Sequence, residues 1–468
     1  MSGASETLLA RMVREEYRLH AALFGDRFLL FPVVTLALSA AGVWLFGLTG
    51  ADLRTVAAGI HGLVFFFGLQ VGTIGLVGRD AMADVLGDVT MLVFSARTLP
   101  VRMGRLLAVF LLKDLLFYSV LFIGPVAVGY AAVALAGGAA PWRVALLWVT
   151  ASATFGLGVA SSLTLAGLGS RHSGLVVGAA LAVAAVVVSG RVDVVTLTPL
   201  AFYESPTPRR ALTGFAPLAV LSVVGPLLFD PPDGGSPRTA SGRYERLRGR
   251  LGDGVATRTV LELTGSSGSV WKVLFSMGLL FAVTVVLVLE VGRATALDPS
   301  MGIAIGTLLG LGAFTSYSWL TISDDVAEYR RYPVSMRAVF AGKRRAYLLV
   351  SLPAGLVYLL GSLVWVPARE VAVGAVVFPL VAVYVFGVTA YVTGLSPNEL
   401  LFDTPLFVVF GAALALVALP LVVAALVHTE MPALANAVAL GVALVGGVAG
   451  VGLAGRAGPR WDDRSRAG

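Results

Sequence analysis

Runs of about 20 apolar residues recur along this chain, and about twelve of them are long enough to cross a bilayer core as helices. They fall near 28–48, 55–78, 106–136, 142–168, 174–190, 211–229, 270–291, 300–322, 346–366, 370–394, 405–427 and 432–455. In hydrocarbon every backbone N–H and C=O needs a partner within the fold, which leaves helices as the solution for segments of this length. The expectation is an all-α, polytopic membrane protein with about 12 transmembrane helices. Charge supports it: 13% of the 468 residues are charged, whereas soluble domains carry about 25%.

A net charge of +7 is compatible with nucleic acid as a partner, but the placement of the charges argues otherwise. With the N-terminus inside, all but seven of the 34 Lys and Arg residues fall in cytoplasmic loops and tails. The seven are Arg54, Arg143, Arg191, Arg209, Arg210, Arg293 and Arg369. That bias is the positive-inside rule, and it places both termini in the cytoplasm with the bilayer as the partner, without nucleic acid. The expected location is the plasma membrane. Cysteine is absent, which removes disulfides and thiolate chemistry, and the four histidines (His20, His61, His172, His428) show no ligand spacing. No metal or catalytic constellation is expected, so the chain reads as a non-enzyme.

A polar segment at 230–269, opening "DPPDGGSPRTASGRYERLRGRLGDG", divides the apolar runs six and six. It reads as a cytoplasmic connector with a short surface helix predicted at 243–251. Residues 1–229 then form a first six-helix half with an N-terminal interfacial helix, and 270–468 a second half with a short basic tail. The two halves share a loop pattern at a constant offset of 233, "VFSARTLPVRMGR" from Val93 and "VAEYRRYPVSMRA" from Val326. Val93, Arg97, Pro100, Val101 and Met103 match Val326, Arg330, Pro333, Val334 and Met336. Both copies occupy the loop after the second span of a half, and both follow acids: Asp80, Asp84 and Asp88, then Asp324, Asp325 and Glu328. The arrangement predicts two pseudo-symmetric, parallel halves. Proline suits the first turn of a helix, so Pro100 and Pro333 are expected to start short interfacial helices.

These loops resemble those of the permease subunit of ABC-2-type transporters, in a duplicated 12-helix form. "MVREEYRLH" (12–20) is similar to that family's amphipathic N-terminal element. "TLPVRMGRLLAVFLLKD" (98–114) and "RYPVSMRAVFAGKRR" (331–345) are similar to its loop motif, although Arg102 stands where the family usually has a small hydroxyl residue. The resemblance implies that loops 79–105 and 323–345 dock a separate ATP-binding subunit, in two copies, which carries ATP and Mg. The docking residues it implies are Arg97, Pro100, Val101, Arg102 and Met103, with Arg330, Arg331, Pro333, Val334, Met336 and Arg337. It also implies export. The chain has three lysines, Lys113, Lys272 and Lys343, and none lies in a Walker sequence.

Ionisable residues within the spans are functional candidates because each is costly there. Lys113 and Asp114 open the third span and Glu290 ends the seventh. One reading puts Lys113 and Asp114 at the cytoplasmic interface, paired with each other or with Arg102 and Arg105, and Glu290 at the outer interface near Arg293. The other gives them a role in substrate passage. The alternative functions are a secondary, ion-coupled transporter and a membrane-embedded enzyme. The sparse charge in the middles of the spans disfavours the first, and the lack of gathered acids and histidines disfavours the second.

Overall fold

A computed structural model describes residues 9–14, 18, 30–48, 52–77, 103–171, 194–228, 242–252, 254–266, 269–294, 297–322, 324, 326–329, 331–397, 400 and 404–467. Among these residues the chain is helical and contains no strand. It divides into two compact units, Met1–Ser236 and Pro237–Gly468, with the boundary inside the polar connector.

In the first unit the helices are α1 (Leu30–Leu48), α2 (Leu53–Val77), α3 (Met103–Tyr118), α4 (Gly124–Ala136), α5 (Pro141–Arg171), α6 (Pro199–Glu204) and α7 (Pro208–Leu228). A π-helical turn, Ser119–Ile123, joins α3 to α4 into one long rod. Pro125, one residue beyond Gly124, has no N–H to donate; the ladder widens here, and the Gly124 N–H bonds the Ser119 carbonyl. Trp148 Nε1 donates to the same carbonyl at 2.8 Å and fixes the wide turn against α5.

The second unit holds α8 (Arg243–Leu251), α9 (Val255–Gly265), α10 (Trp271–Ala294), α11 (Met301–Thr321), α12 (Val326–Tyr329), α13 (Met336–Gly361), α14 (Ala368–Thr393), α15 (Thr404–Leu426) and α16 (Pro432–Ala467). Ten of the described helical segments are long and apolar enough to cross a membrane, which makes this a multi-pass membrane protein. The apolar part of α1, Pro32–Trp44, is shorter. The span expected at 174–190 lies outside the described residues. So does most of the N-terminal element, although 9–14 are helical.

Small residues set which helices touch. In the first unit α2 and α5 run parallel, and a Cβ on Gly158 would come within 2.9 Å of the Leu69 backbone nitrogen. One turn further, a Cβ on Gly72 would meet Ser162 Cβ at 2.8 Å. Helix α7 continues the row, with Gly225 against Leu163 and Thr164 of α5. In the second unit α11 and α14 are likewise parallel, and a Cβ on Gly306 would meet Gly374 Cα at 2.9 Å. Helix α16 flanks α14 through Gly387 and Gly450. Lipid gives no hydrophobic drive between helices, so close backbone approach over small residues supplies the contact.

Two departures from the sequence reading stand out. The ninth span, expected at 346–366, begins ten residues earlier, because α13 runs unbroken from Met336 to Gly361. Pro333 therefore does not start a separate interfacial helix. The start is Ser335, whose side chain accepts from the Ala338 N–H at 3.3 Å as an N-cap. The connector also holds more structure than expected: α8 matches the predicted 243–251, and α9 follows it and packs on α13.

Candidate functional site

The segment expected to dock a partner lies at one end of the second unit, where α9, α11, α12, α13 and α16 meet. Tyr332 is 52% exposed and Val334 39% exposed. Arg331, Pro333 and Arg337 are exposed beside them. Short backbone bonds brace the turn: Tyr332 N–H to Tyr329 O at 3.2 Å and Val334 N–H to Tyr332 O at 2.7 Å. The result is a protruding knuckle that is basic and aromatic. Met336 belongs elsewhere; it is 2% exposed and packs in the core with Val339, Phe340 and Tyr329.

Beneath the knuckle is a buried polar cluster. Lys343, on α13, is 1% exposed; its Nζ donates to the Leu320 carbonyl at 2.8 Å and forms an ion pair with Asp324. Tyr329 donates its hydroxyl to the other oxygen of Asp324 at 2.7 Å. Burial, together with the Asp324 carboxylate, pushes the Tyr329 hydroxyl well above the usual phenol range. A buried ion needs such partners, because its desolvation is repaid only when the remaining hydrogen-bonding sites are filled. Lys343 thereby ties α13 to the end of α11 and to the segment that carries the knuckle.

The contacts continue inward. Tyr317 donates to the Gly394 carbonyl, and its ring sits 5.4 Å from Phe386 and 6.4 Å from Tyr347. Gly394 has φ +63, a left-handed conformation that ends α14 and lets the Trp461 ring lie against it. Trp461 Nε1 donates to the Ala390 carbonyl at 3.1 Å, and Arg460 stacks 4.1 Å over Tyr391. Gly458 packs on the Arg337 backbone. The end of α16 thus clamps the start of α13 and the end of α14 together.

In the first unit Arg97, Pro100, Val101 and Arg102 lie outside the described residues, as does Arg330 in the second. Met103 is the first residue of α3. Glu290 sits near the end of α10. Lys113 and Asp114 are both buried, 2.8 Å apart, and the Lys113 ammonium lies 4.5 Å over the Phe110 ring. They lie within the apolar span Leu107–Ala136.

Two further polar sites escaped the sequence reading. His61, buried on α2, bonds the Ala57 carbonyl at 2.8 Å through Nδ1 and Thr150 Oγ1 at 2.9 Å through Nε2. A carbonyl only accepts, so Nδ1 carries a proton. Tyr203 packs 5.6 Å from this ring, and its hydroxyl bonds that of Tyr130 at 3.1 Å. A polar residue within an apolar run was the available signal, but its partner is 89 positions away. At the opposite end of the second unit from the knuckle, a cavity of about 470 Å³ is lined by Leu297, Asp298, Met301, Glu370, His428 and Thr429. Glu370 there accepts from Ser300 Oγ at 2.8 Å and from the Gly302 N–H at 3.4 Å, so its carboxylate is used to start α11. Among the described residues no three histidine or acidic side chains converge as a metal site.

The chain matches no known protein-family model, no curated protein and no solved structure.

Proposed function

We propose that this protein is the membrane subunit of an ABC-2-like exporter in the plasma membrane, driven by a separate ATP-binding subunit. The observation that carries the reading is the exposed knuckle of Arg331, Tyr332, Pro333, Val334 and Arg337, seated on the buried Lys343–Asp324 pair. Aromatic and arginine side chains are the residues that interfaces favour. A rigid mount beneath them converts a push on the knuckle into movement of α11 and α13. The first loop, 79–105, docks a second copy of the ATPase in this reading. The two units act as pseudo-symmetric halves with the knuckle end and both termini in the cytoplasm, a topology that the charge bias supports. ATP and Mg belong to the partner, and the permease performs no chemistry itself.

The test is purification of the tagged chain in detergent from its native membranes. Recovery of a Walker-motif ATPase at about two copies per chain is expected. Its loss from a variant with Arg330, Arg331 and Arg337 changed to Glu, with insertion intact, is expected too. An unchanged complex in that variant overturns the docking role.

One observation favours an ion-coupled transporter as the second reading: the Lys113–Asp114 pair is buried within a span, where ionisable groups commonly serve ion or substrate passage. In that case the chain purifies without an ATPase, and Asp114→Asn abolishes transport driven by an ion gradient.

A further inference from the structure

The connector helix α8 has a use that docking does not explain. Its sequence is "RYERLRGRL", and it spans Arg243–Leu251. At 3.6 residues per turn, Tyr244, Leu247 and Leu251 fall on one stripe at i, i+3 and i+7. Arg248 lies on one shoulder of that stripe and Arg250 on the other, while Glu245 and Gly249 fall on the far side. Leu247 and Leu251 are half-buried; Tyr244, Arg246, Arg248 and Arg250 are exposed. Arg246 Nε donates back to the Gly242 carbonyl at 2.9 Å, so that arginine also caps its own helix. Apolar residues flanked by arginines whose stems can reach outward are the pattern of a helix lying in a bilayer interface.

Position decides the leaflet. Gly252, with φ +80, turns the chain from α8 into α9. Val255, at the start of α9, seats on Gly342 of α13, where an added Cβ would meet Val255 Cβ at 2.6 Å. Gly342 adjoins Lys343, so α9 rests beside the buried ion pair at the knuckle end of the unit, and α8 is attached to it by a short joint. In the orientation of the proposed function, on which this inference rests, that end faces the leaflet whose anionic headgroups attract juxtamembrane basic segments.

We propose that α8 is a binding surface for anionic phospholipid, with its Tyr244–Leu247–Leu251 stripe at the acyl boundary and Arg248 and Arg250 on lipid phosphates. Charge complementarity selects this occupant: the nine residues of α8 hold four arginines against one glutamate. Through α9 the lipid contact also holds the start of α13.

Because the chain contains no cysteine, single labels can be placed on the full-length protein without background. Leu247→Cys and Gly249→Cys, each carrying an environment-sensitive fluorophore, are compared in nanodiscs of pure phosphatidylcholine and of about 30% phosphatidylglycerol. The expected result is a blue shift and an emission rise of about threefold for the probe at 247 in anionic lipid only. The probe at 249 stays in water in both lipids. Arg248→Gln with Arg250→Gln, or about 0.5 M salt, removes the rise. Equal spectra at 247 in the two lipids overturn the proposal, whether both report water or both report hydrocarbon. A probe at 249 as buried as that at 247 overturns the assigned face. Gel filtration and the spectrum at 249 report on folding independently.

Discussion

Each unit buries a lysine on the helix that follows its repeated loop, but the two lysines are paired differently. Lys113 meets Asp114, its neighbour in sequence. Lys343 meets Asp324, which lies on the segment before the helix, and also bonds the last turn of α11. The first pair joins adjacent residues of one helix. The second joins three pieces of chain, and those pieces carry the knuckle. The ion pair lies between neighbours of one helix in the first unit and between separate segments in the second.

The largest test of this contrast is Lys343→Met, which leaves the Asp324 carboxylate buried without its cation. A stability loss of about 3–5 kcal/mol is expected in denaturant titration of the detergent-solubilised protein. The double variant Lys343→Met with Asp324→Leu should recover most of it. If the single change costs no more than an exposed substitution, Lys343 does not tie the segments together.

Asp114→Asn should cost about 1–3 kcal/mol in the same titration, because it takes the carboxylate away from the buried Lys113. Equal losses in the two units would erase the difference drawn between them.

Helix contacts offer a comparison where the units should agree. Gly158→Leu and Gly306→Leu each force a side chain into a close parallel contact, and each should cost about 1–3 kcal/mol, measured as a fall in melting temperature.

The smallest effect separates the units again. Helix α2 is capped by Asp52, whose carboxylate accepts from the Thr55 N–H at 2.7 Å, whereas α11 is capped by the uncharged Ser300. Hydrogen bonding from Thr55 holds the Asp52 carboxyl below its ordinary value of 3.8. Its pKa is lower folded than unfolded, so this cap contributes fully above the unfolded value and is lost as pH falls through the folded one. Asp52→Asn should remove that acid dependence, and Asp52→Ala should cost about 1 kcal/mol at neutral pH. Ser300→Ala should show no acid dependence, as followed by melting between pH 5 and pH 3.

Much of the architecture was legible in the sequence. Apolar length alone located nearly every described span, since a helix in lipid needs little beyond enough apolar residues. The helix at 243–251 was legible because its glycines and arginines mark its ends and face. The knuckle was legible too, since basic residues around an X-Pro pair between two spans have few places to go. That Met336 is buried was not legible, because the shared loop pattern says which positions are alike, not which way a side chain points. The continuous α13 was missed because the proline was weighted above the serine two residues later. Helix α9 was missed because its buried side is shaped by Gly342 on a distant helix.

Sequence by itself determined that this chain crosses a membrane many times, where the spans fall and where positive charge gathers. Those are properties of single segments meeting lipid and water, and each segment carries its own cost of transfer. Tertiary structure alone decided that Lys343 finds Asp324 and Leu320, that His61 finds Thr150, and that α2 with α5 and α11 with α14 run parallel over glycine. Those pairings depend on geometry between separate helices, and once every span is apolar the hydrophobic pattern no longer says which faces meet.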